Sequence, residues 1–225
     1  VLDVPVISGL DEVCEFDTDV AYSVEDVSGS TFDWDITGGT QTSGTNTARI
    51  LAEWGTAGAG NVRVIQQAFD PVNNRACVSD PVDLAITIYP KPTADEILGD
   101  MEVCQLGDSV EYTINGFATS SYEWRINGNL ADVVGQGTNT IKLIWETDGT
   151  ATLSVLETSA AGCEGELVDT VVIINPKPTT TPIEGPIAIC PENANNHEYS
   201  VIGSPNSTFS WDVVGSNEVR GNGTS

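Results

Sequence analysis

Five cysteines give this 225-residue sequence its clearest chemical pattern, and they fall at Cys14, Cys77, Cys104, Cys163 and Cys190. Cys14 stands twenty residues before Trp34, Cys104 twenty before Trp124, and Cys190 twenty-one before Trp211. One unit is therefore written three times. Cysteines at matched places in a chain rich in Thr, Asn and Gly point to disulfides, and so to an oxidising extracellular or periplasmic compartment. Pairing Cys14 with Cys77 and Cys104 with Cys163 gives separations of 63 and 59 residues, one bridge per unit. Cys190 is then expected to find its partner past Ser225, as the odd cysteine of a segment cut from a longer chain.

Other chemistries have less to work with. The single histidine, His197, leaves triads and histidine metal sites almost without material. There is no Gly-x-Ser-x-Gly, no His-Glu-x-x-His and no phosphate loop, so the expectation is a non-enzyme with no catalytic residues. Calcium is the one cofactor the composition invites, since it takes several oxygen ligands. Asp33-Trp34-Asp35 opens like a calcium loop but ends at Gly44 where a glutamate belongs, so it reads as a strand with two solvated carboxylates. Asp95, Glu96, Asp100 and Glu102, just after a Pro-Lys-Pro, could stiffen a junction by sharing an ion. Otherwise no cofactor is expected.

Acidity bounds the partners. Thirty-three Asp and Glu against eight Lys and Arg give a formal charge of −25, which excludes nucleic acid and disfavours an anionic membrane surface. No apolar run reaches membrane-spanning length, so no direct insertion is expected, and the residues from Val1 are not expected to be a signal peptide, having no basic stretch followed by an apolar run. Export signal and anchor are expected elsewhere in the parent protein.

The elements that must hold these residues are strands. Phe32, Trp34 and Ile36 alternate with Asp33 and Asp35, and Val20, Tyr22 and Val24 share a face. Further strands are expected at 48–54, 61–69 and 82–89, with a polar loop after Gly38-Gly39 and another from Asp70 to Arg75. The second unit repeats them at 110–114, 122–126, 141–145, 151–156 and 168–174. Pro90-Lys91-Pro92 and Pro176-Lys177-Pro178 cannot continue a ladder and serve as spacers. About seven short strands per unit make an all-β tandem of sandwiches: 1–92, 93–178 and an incomplete 179–225. Trp34, Trp54, Trp124, Trp145 and Trp211, with Tyr22, Tyr112 and Tyr199, are the expected core. Asn206-Ser-Thr and Asn222-Gly-Thr match the short N-glycosylation acceptor pattern.

Gly five residues before Cys, Tyr eight or nine after it, then Trp, a Gly-rich turn, a second Trp and a second Cys form one ordered pattern. It rests on Gly9, Cys14, Tyr22, Trp34, Trp54 and Cys77, and again on Gly99, Cys104, Tyr112, Trp124, Trp145, Gly162 and Cys163. This pattern resembles the PKD-like repeats of Bacteroidota surface proteins, including gliding-motility adhesins. The resemblance implies an immunoglobulin-like sandwich, export by the type IX system, association with the outer-membrane cell surface, and a role as spacer or adhesive module. Neighbouring repeats, surface glycans and the secretion or motility machinery would be its partners. The alternatives are accessory modules of a secreted hydrolase and direct glycan- or protein-binding domains. Ser109 and Thr170 sit in motifs that look like the O-glycosylation signal of the same bacteria. Each disulfide is expected to pin the first strand to the start of the last, and Ala76, where the second unit has Gly162, to mark a rebuilt hairpin.

Overall fold

A computed structural model describes residues 3–70, 75–93, 95–128, 130–190, 192 and 196–215. In the first unit β1 (Glu12–Cys14) is followed by β2 (Val20–Ser23), β3 (Ser30–Thr37), β4 (Gly39–Ser43), β5 (Arg49–Trp54), β6 (Gly58–Asp70), β7 (Arg75–Val78) and β8 (Val82–Tyr89). One sheet runs β1-β8-β6-β3, with β7 on the far part of β6, and the other runs β2-β5-β4. The second unit has β9 (Ile97–Leu98), β10 (Glu102–Cys104), β11 (Val110–Ile114), β12 (Ser121–Asn127), β13 (Leu130–Val134), β14 (Thr140–Trp145), β15 (Gly149–Thr158) and β16 (Val168–Asn175). Its sheets are β10-β16-β15-β12 and β13-β14-β11-β9. The protein is thus all-β, a tandem of two-sheet sandwiches.

Alternation explains the layers. Along β3, Phe32 and Trp34 are buried while Asp33 and Asp35 are exposed, the period-two pattern of a strand with one wet face. Val62 and Val64 of β6 and Ile86 and Ile88 of β8 join them and meet Tyr22, Ile50, Ala52 and Trp54 of the opposite sheet. In the second unit Trp124, Leu153, Val155, Val172 and Ile174 face Tyr112, Ile141, Leu143 and Trp145. The indole N–H groups of Trp34 and Trp124 donate to the carbonyls of Thr47 and Thr138, at 2.9 and 2.8 Å, so burial leaves neither donor unpaired.

β4 and β13 lie where a polar loop was expected. They are edge strands, β4 of a three-stranded sheet and β13 of a four-stranded one, and β4 has no fully buried position, so no hydrophobic period announces it. The strand expected to carry Val20, Tyr22 and Val24 stops at Ser23. The expected loop from Asp70 to Arg75 falls largely outside the described residues, and Ala76 lies in β7, paired with Phe69.

A tyrosine ties each unit's entry segment to its own sheet. The hydroxyl of Tyr22 donates to Leu10 O, that of Tyr112 to Asp100 O and that of Tyr199 to Pro186 O, at 3.0, 2.9 and 3.0 Å. Gly9, Gly99 and Gly185 lie against these rings, and a Cβ on Gly99, whose φ is +146°, would fall 2.6 Å from Tyr112 Cδ1. Gly99→Ala should therefore destabilise the second unit by about 1–3 kcal/mol, the cost typical of overpacking, seen as a lower urea midpoint. The third unit shows the same tyrosine and the bridges Thr180↔Gly203 and Glu184↔Ser200. There Tyr199 is exposed and Trp211 half-buried, in contrast to the core role expected of them. No strand of a facing sheet is present among the described residues of that unit to cover them.

Buried phenols set an alkaline limit. Burial pushes Tyr22 up to about 12, and burial followed by the hydrogen bond to Glu157 pushes Tyr122 up to about 12. An unfolded phenol titrates near ~10, so the folded chain holds both tyrosines neutral at a pH where the unfolded chain would not. That stability is complete below about pH 10 and is lost as pH rises through about 12. Circular dichroism should stay constant to about pH 10 and collapse over the next two units, and Tyr122→Phe should move the second unit's collapse to higher pH.

Candidate functional site

The parallel pairing of β1 with β8 decides where Cys14 lies. Glu12, Val13 and Cys14 stand opposite Thr87, Ile88 and Tyr89, so Cys14 is at the end of the first unit from which the chain leaves for the second. Past it the chain turns sharply at Phe16, whose φ is +61°. Glu15 N donates to Tyr89 O (2.8 Å), Phe16 N to Gly55 O (3.2 Å) and Asp17 N to Cys14 O (3.2 Å). The Glu15 carboxylate accepts from Lys91 N (2.9 Å) and Ala57 N (3.2 Å), and Lys91 Nζ lies 3.3 Å from Asp17 Oδ1. Two carboxylates thus fix the Pro-Lys-Pro spacer to the end of the first sandwich. The Lys91–Asp17 ion pair is about one-third exposed on each side and adds at most about 1 kcal/mol.

Cys163 lies at the facing end of the second unit. β15 runs antiparallel to β16, so its last residues point back toward the first sandwich. The hairpin beyond it closes through Ser159 N to Cys163 O, Cys163 N to Ser159 Oγ and Gly162 N to Ser159 O, with Gly162 at φ +85°. Pro92 is buried against it, and a Cβ on Gly165 would fall 2.8 Å from Pro92 O.

Cys14 and Cys163 are bonded to each other, with Cα atoms 5.6 Å apart, across a sequence separation of 149. The expected pairings Cys14–Cys77 and Cys104–Cys163 are thereby corrected: Cys77, Cys104 and Cys190 are free and exposed. The reason is the length of a sandwich. Cys77 pairs with Ala68, whereas Cys14 lies beside Tyr89, just past the level where Gly58 pairs with Ile88. Ala68 lies ten residue steps along the strand from Gly58, about 33 Å at the usual rise. A disulfide needs Cα atoms within about 7 Å. The second unit repeats this geometry, with Cys104 opposite Asn175 and Cys163 opposite Ser159. Nor does the bond pin the first strand to the start of the last, for Cys14 lies at the last strand's end.

The staple stabilises both neighbours. With the first unit folded, it closes the segment from Tyr89 to Cys163 of an unfolded second unit, a constraint of about 4 kcal/mol in the chain-entropy model.

The four linker carboxylates are not assembled. Asp95 accepts from Asn115 Nδ2 and Glu96 N, at 3.0 and 3.1 Å, and borders a shallow depression of about 460 Å³ with Thr93, Asn115, Phe117 and Glu157. Glu102 accepts from Asn175 Nδ2 (3.0 Å) and stands opposite Ile173, which pairs with Thr150. Thr150 and Glu157 are seven residues apart on β15, about 23 Å, so Asp95 and Glu102 cannot share one ion. Among the described residues no group of three or more His, Cys, Asp or Glu side chains could hold a metal. Ser109 is exposed, while Thr170 is half-buried in β16 with its hydroxyl toward Met101 Sδ. The expected core residues Tyr22, Trp34, Trp54, Tyr112, Trp124 and Trp145 are all buried. Sequence reasoning passed over Glu15, Asp17 and Lys91; the signal was a long polar side chain directly after the first cysteine of the first two units, Glu15 and Gln105, with a lysine in the spacer that ends each of them.

Two stapled two-sheet β-sandwiches define the class. The chain belongs to the PKD-like domain family, which matches it over residues 2–69 and 90–171. No curated protein sequence matches the chain. Among solved structures it is similar to the I-band fragment of titin (11% identity, 99% of this chain and 83% of that one, TM-score 0.46). It is also similar to the fibronectin(III)-like modules of Clostridium thermocellum CbhA (13%, 76% and 95%, TM-score 0.38) and to a marsupial T cell receptor (12%, 81% and 76%, TM-score 0.43). PKD-like domains are typically non-catalytic repeat modules, and a disulfide in such a domain suits an extracellular protein.

Proposed function

We propose that these repeats are a non-catalytic, tension-bearing spacer in a large secreted cell-surface adhesin, of the kind found in gliding-motility proteins. The observation that carries this reading is the Cys14–Cys163 bond, which joins one sandwich to the next and not the two sheets of one sandwich. A bond in that position stiffens the junction and carries load across it. The charge of −25 keeps neighbouring stalks apart. Four of the five tryptophans are buried, so they offer no sugar-stacking platform.

The test measures the chain against a panel of bacterial, plant and algal polysaccharides, with small-angle scattering on the same sample. A spacer gives an elongated particle, shortened or broadened in its distance distribution by Cys14→Ser, and no saturable binding. Saturable binding to one sugar class would overturn the spacer reading in favour of an adhesive domain.

A further inference from the structure

We infer that Cys104 and Cys77 are the two halves of the same staple, each made to bond a further PKD-like repeat stacked on its end of the pair. A linear array would then carry a disulfide across every junction. The inference rests on the reading of these units as a tandem array, and its evidence is the equivalence of the two outer ends to the two halves of the bonded junction.

The end bearing Cys104 is built like the end bearing Cys14. Both cysteines close a Glu-Val-Cys strand, parallel to the unit's last strand and in the same register. Gln105 N donates to Asn175 O as Glu15 N does to Tyr89 O, and Gly107 N to Cys104 O as Asp17 N does to Cys14 O; between them Leu106 N reaches Trp145 O, one residue before the position that matches Gly55, whose carbonyl accepts from Phe16 N. Leu106 takes a φ of +48° where Phe16 has +61°. Gln105 Oε1 lies 3.5 Å from Lys177 N, where Glu15 Oε1 lies 2.9 Å from Lys91 N. Even the attachment of the spacer is repeated.

The end bearing Cys77 matches the end bearing Cys163. Gly58 pairs with Ile88 and Gly149 with Ile174, which aligns Ala68 with Ser159, the residues opposite Cys77 and Cys163. Two residues past each cysteine, Ser79 N donates to Gln66 O and Gly165 N to Glu157 O, and among the described residues Gln66 and Glu157 are the buried polar side chains. Cys163 is fully buried by its bond to the preceding unit, whereas Cys77 is exposed.

The partner for Cys104 is therefore a repeat presenting a cysteine in the hairpin after its long strand, and the partner for Cys77 a repeat presenting one at the end of its first strand. Each bond forms by oxidation of two thiols. Two S–H bonds break, one S–S bond forms, and two electrons and two protons pass to a disulfide donor such as oxidised glutathione, which leaves as two thiols. Because the bonds skip from a unit's first cysteine to the next unit's second, successive bonds overlap in sequence. The load path that runs through Cys14 and Cys163 reaches Cys190 only 27 residues later.

Both hydrophobic cores lie wholly within residues 1–178, so that pair folds without the third unit. Residues 1–178 are joined to a second copy beginning at Asp3, which sets Gly9 seven residues after Pro178, as Gly99 follows Pro92. The chain is refolded in a mixture of reduced and oxidised glutathione and its thiols are counted and mapped. The expected result is two free thiols, Cys77 of the first copy and Cys104 of the second, with a Cys104–Cys77 bond across the new junction. Four free thiols, with Cys14–Cys163 formed in both copies, would overturn the inference and leave the spacer reading standing. No free thiols, with bonds inside each repeat, would remove the junction on which both rest. The 225-residue chain is the control, with Cys77 and Cys104 open to alkylation.

Discussion

Pulled by its two ends, the oxidised chain should stop lengthening about 500 Å short of the reduced chain. Tension entering at the N-terminus reaches Cys14 and crosses to Cys163, so the residues between them carry none of it. At about 3.4 Å per extended residue, the shielded segment of 148 residues would otherwise contribute about 500 Å. Cys14→Ser alone should restore the full extension, because one broken half frees both sandwiches. A chain carrying Cys77→Ser and Cys104→Ser together should behave like the native one. Bridges inside each unit would give the opposite pattern, with the double variant fully extensible and Cys14→Ser releasing one sandwich only. The effect is large because it is a matter of connectivity, independent of how stable either core is.

Trp145→Ala should cost the second sandwich about 3–5 kcal/mol, the range for removing a large buried aromatic side chain. Trp145 is 1% exposed, lies edge-on to Tyr112 with ring centroids 6.5 Å apart, and its indole N–H points to the Tyr112 hydroxyl at 3.3 Å. In the reduced chain, denaturant titration followed by fluorescence should show the second unit unfolding early and the first at its normal midpoint. Trp54→Ala should reverse the order, since Trp54 fills the same place against Tyr22. With the disulfide intact the two transitions should draw together, because the chain-entropy constraint of about 4 kcal/mol falls almost wholly on whichever unit unfolds first. If Trp145→Ala lowered both midpoints equally in the reduced chain, the two cores would not be separate cooperative units.

The strands that build the cores were legible because burial imposes a period. Phe32, Trp34 and Ile36 face inward and Asp33 and Asp35 outward, and Tyr122 and Trp124 repeat the alternation. The edge strands β4 and β13 were not legible, since a strand at the edge of its sheet has little to bury. The junction was half legible. Pro90-Lys91-Pro92 marked its place, but nothing in its residue types showed that Glu15 and Asp17 would turn back to hold it.

The cysteines show most plainly where sequence reasoning stops. Equal separations from Cys14 to Cys77 and from Cys104 to Cys163 look like two copies of one bridge, yet repetition makes those separations equal whichever cysteines bond. The deciding fact is the end of the sandwich each one occupies. That follows from the parallel register of a three-residue strand against Tyr89 and from the ten residue steps along β6 from Gly58 to Ala68. Neither leaves a mark in composition or periodicity.

The central claim is that the bond joins neighbouring repeats, and digestion of the alkylated, unreduced 225-residue chain tests it most directly. One crosslinked peptide pair is expected, containing Cys14 and Cys163, with Cys77, Cys104 and Cys190 recovered in alkylated form. Recovery of Cys14 linked to Cys77 and of Cys104 linked to Cys163 would contradict it.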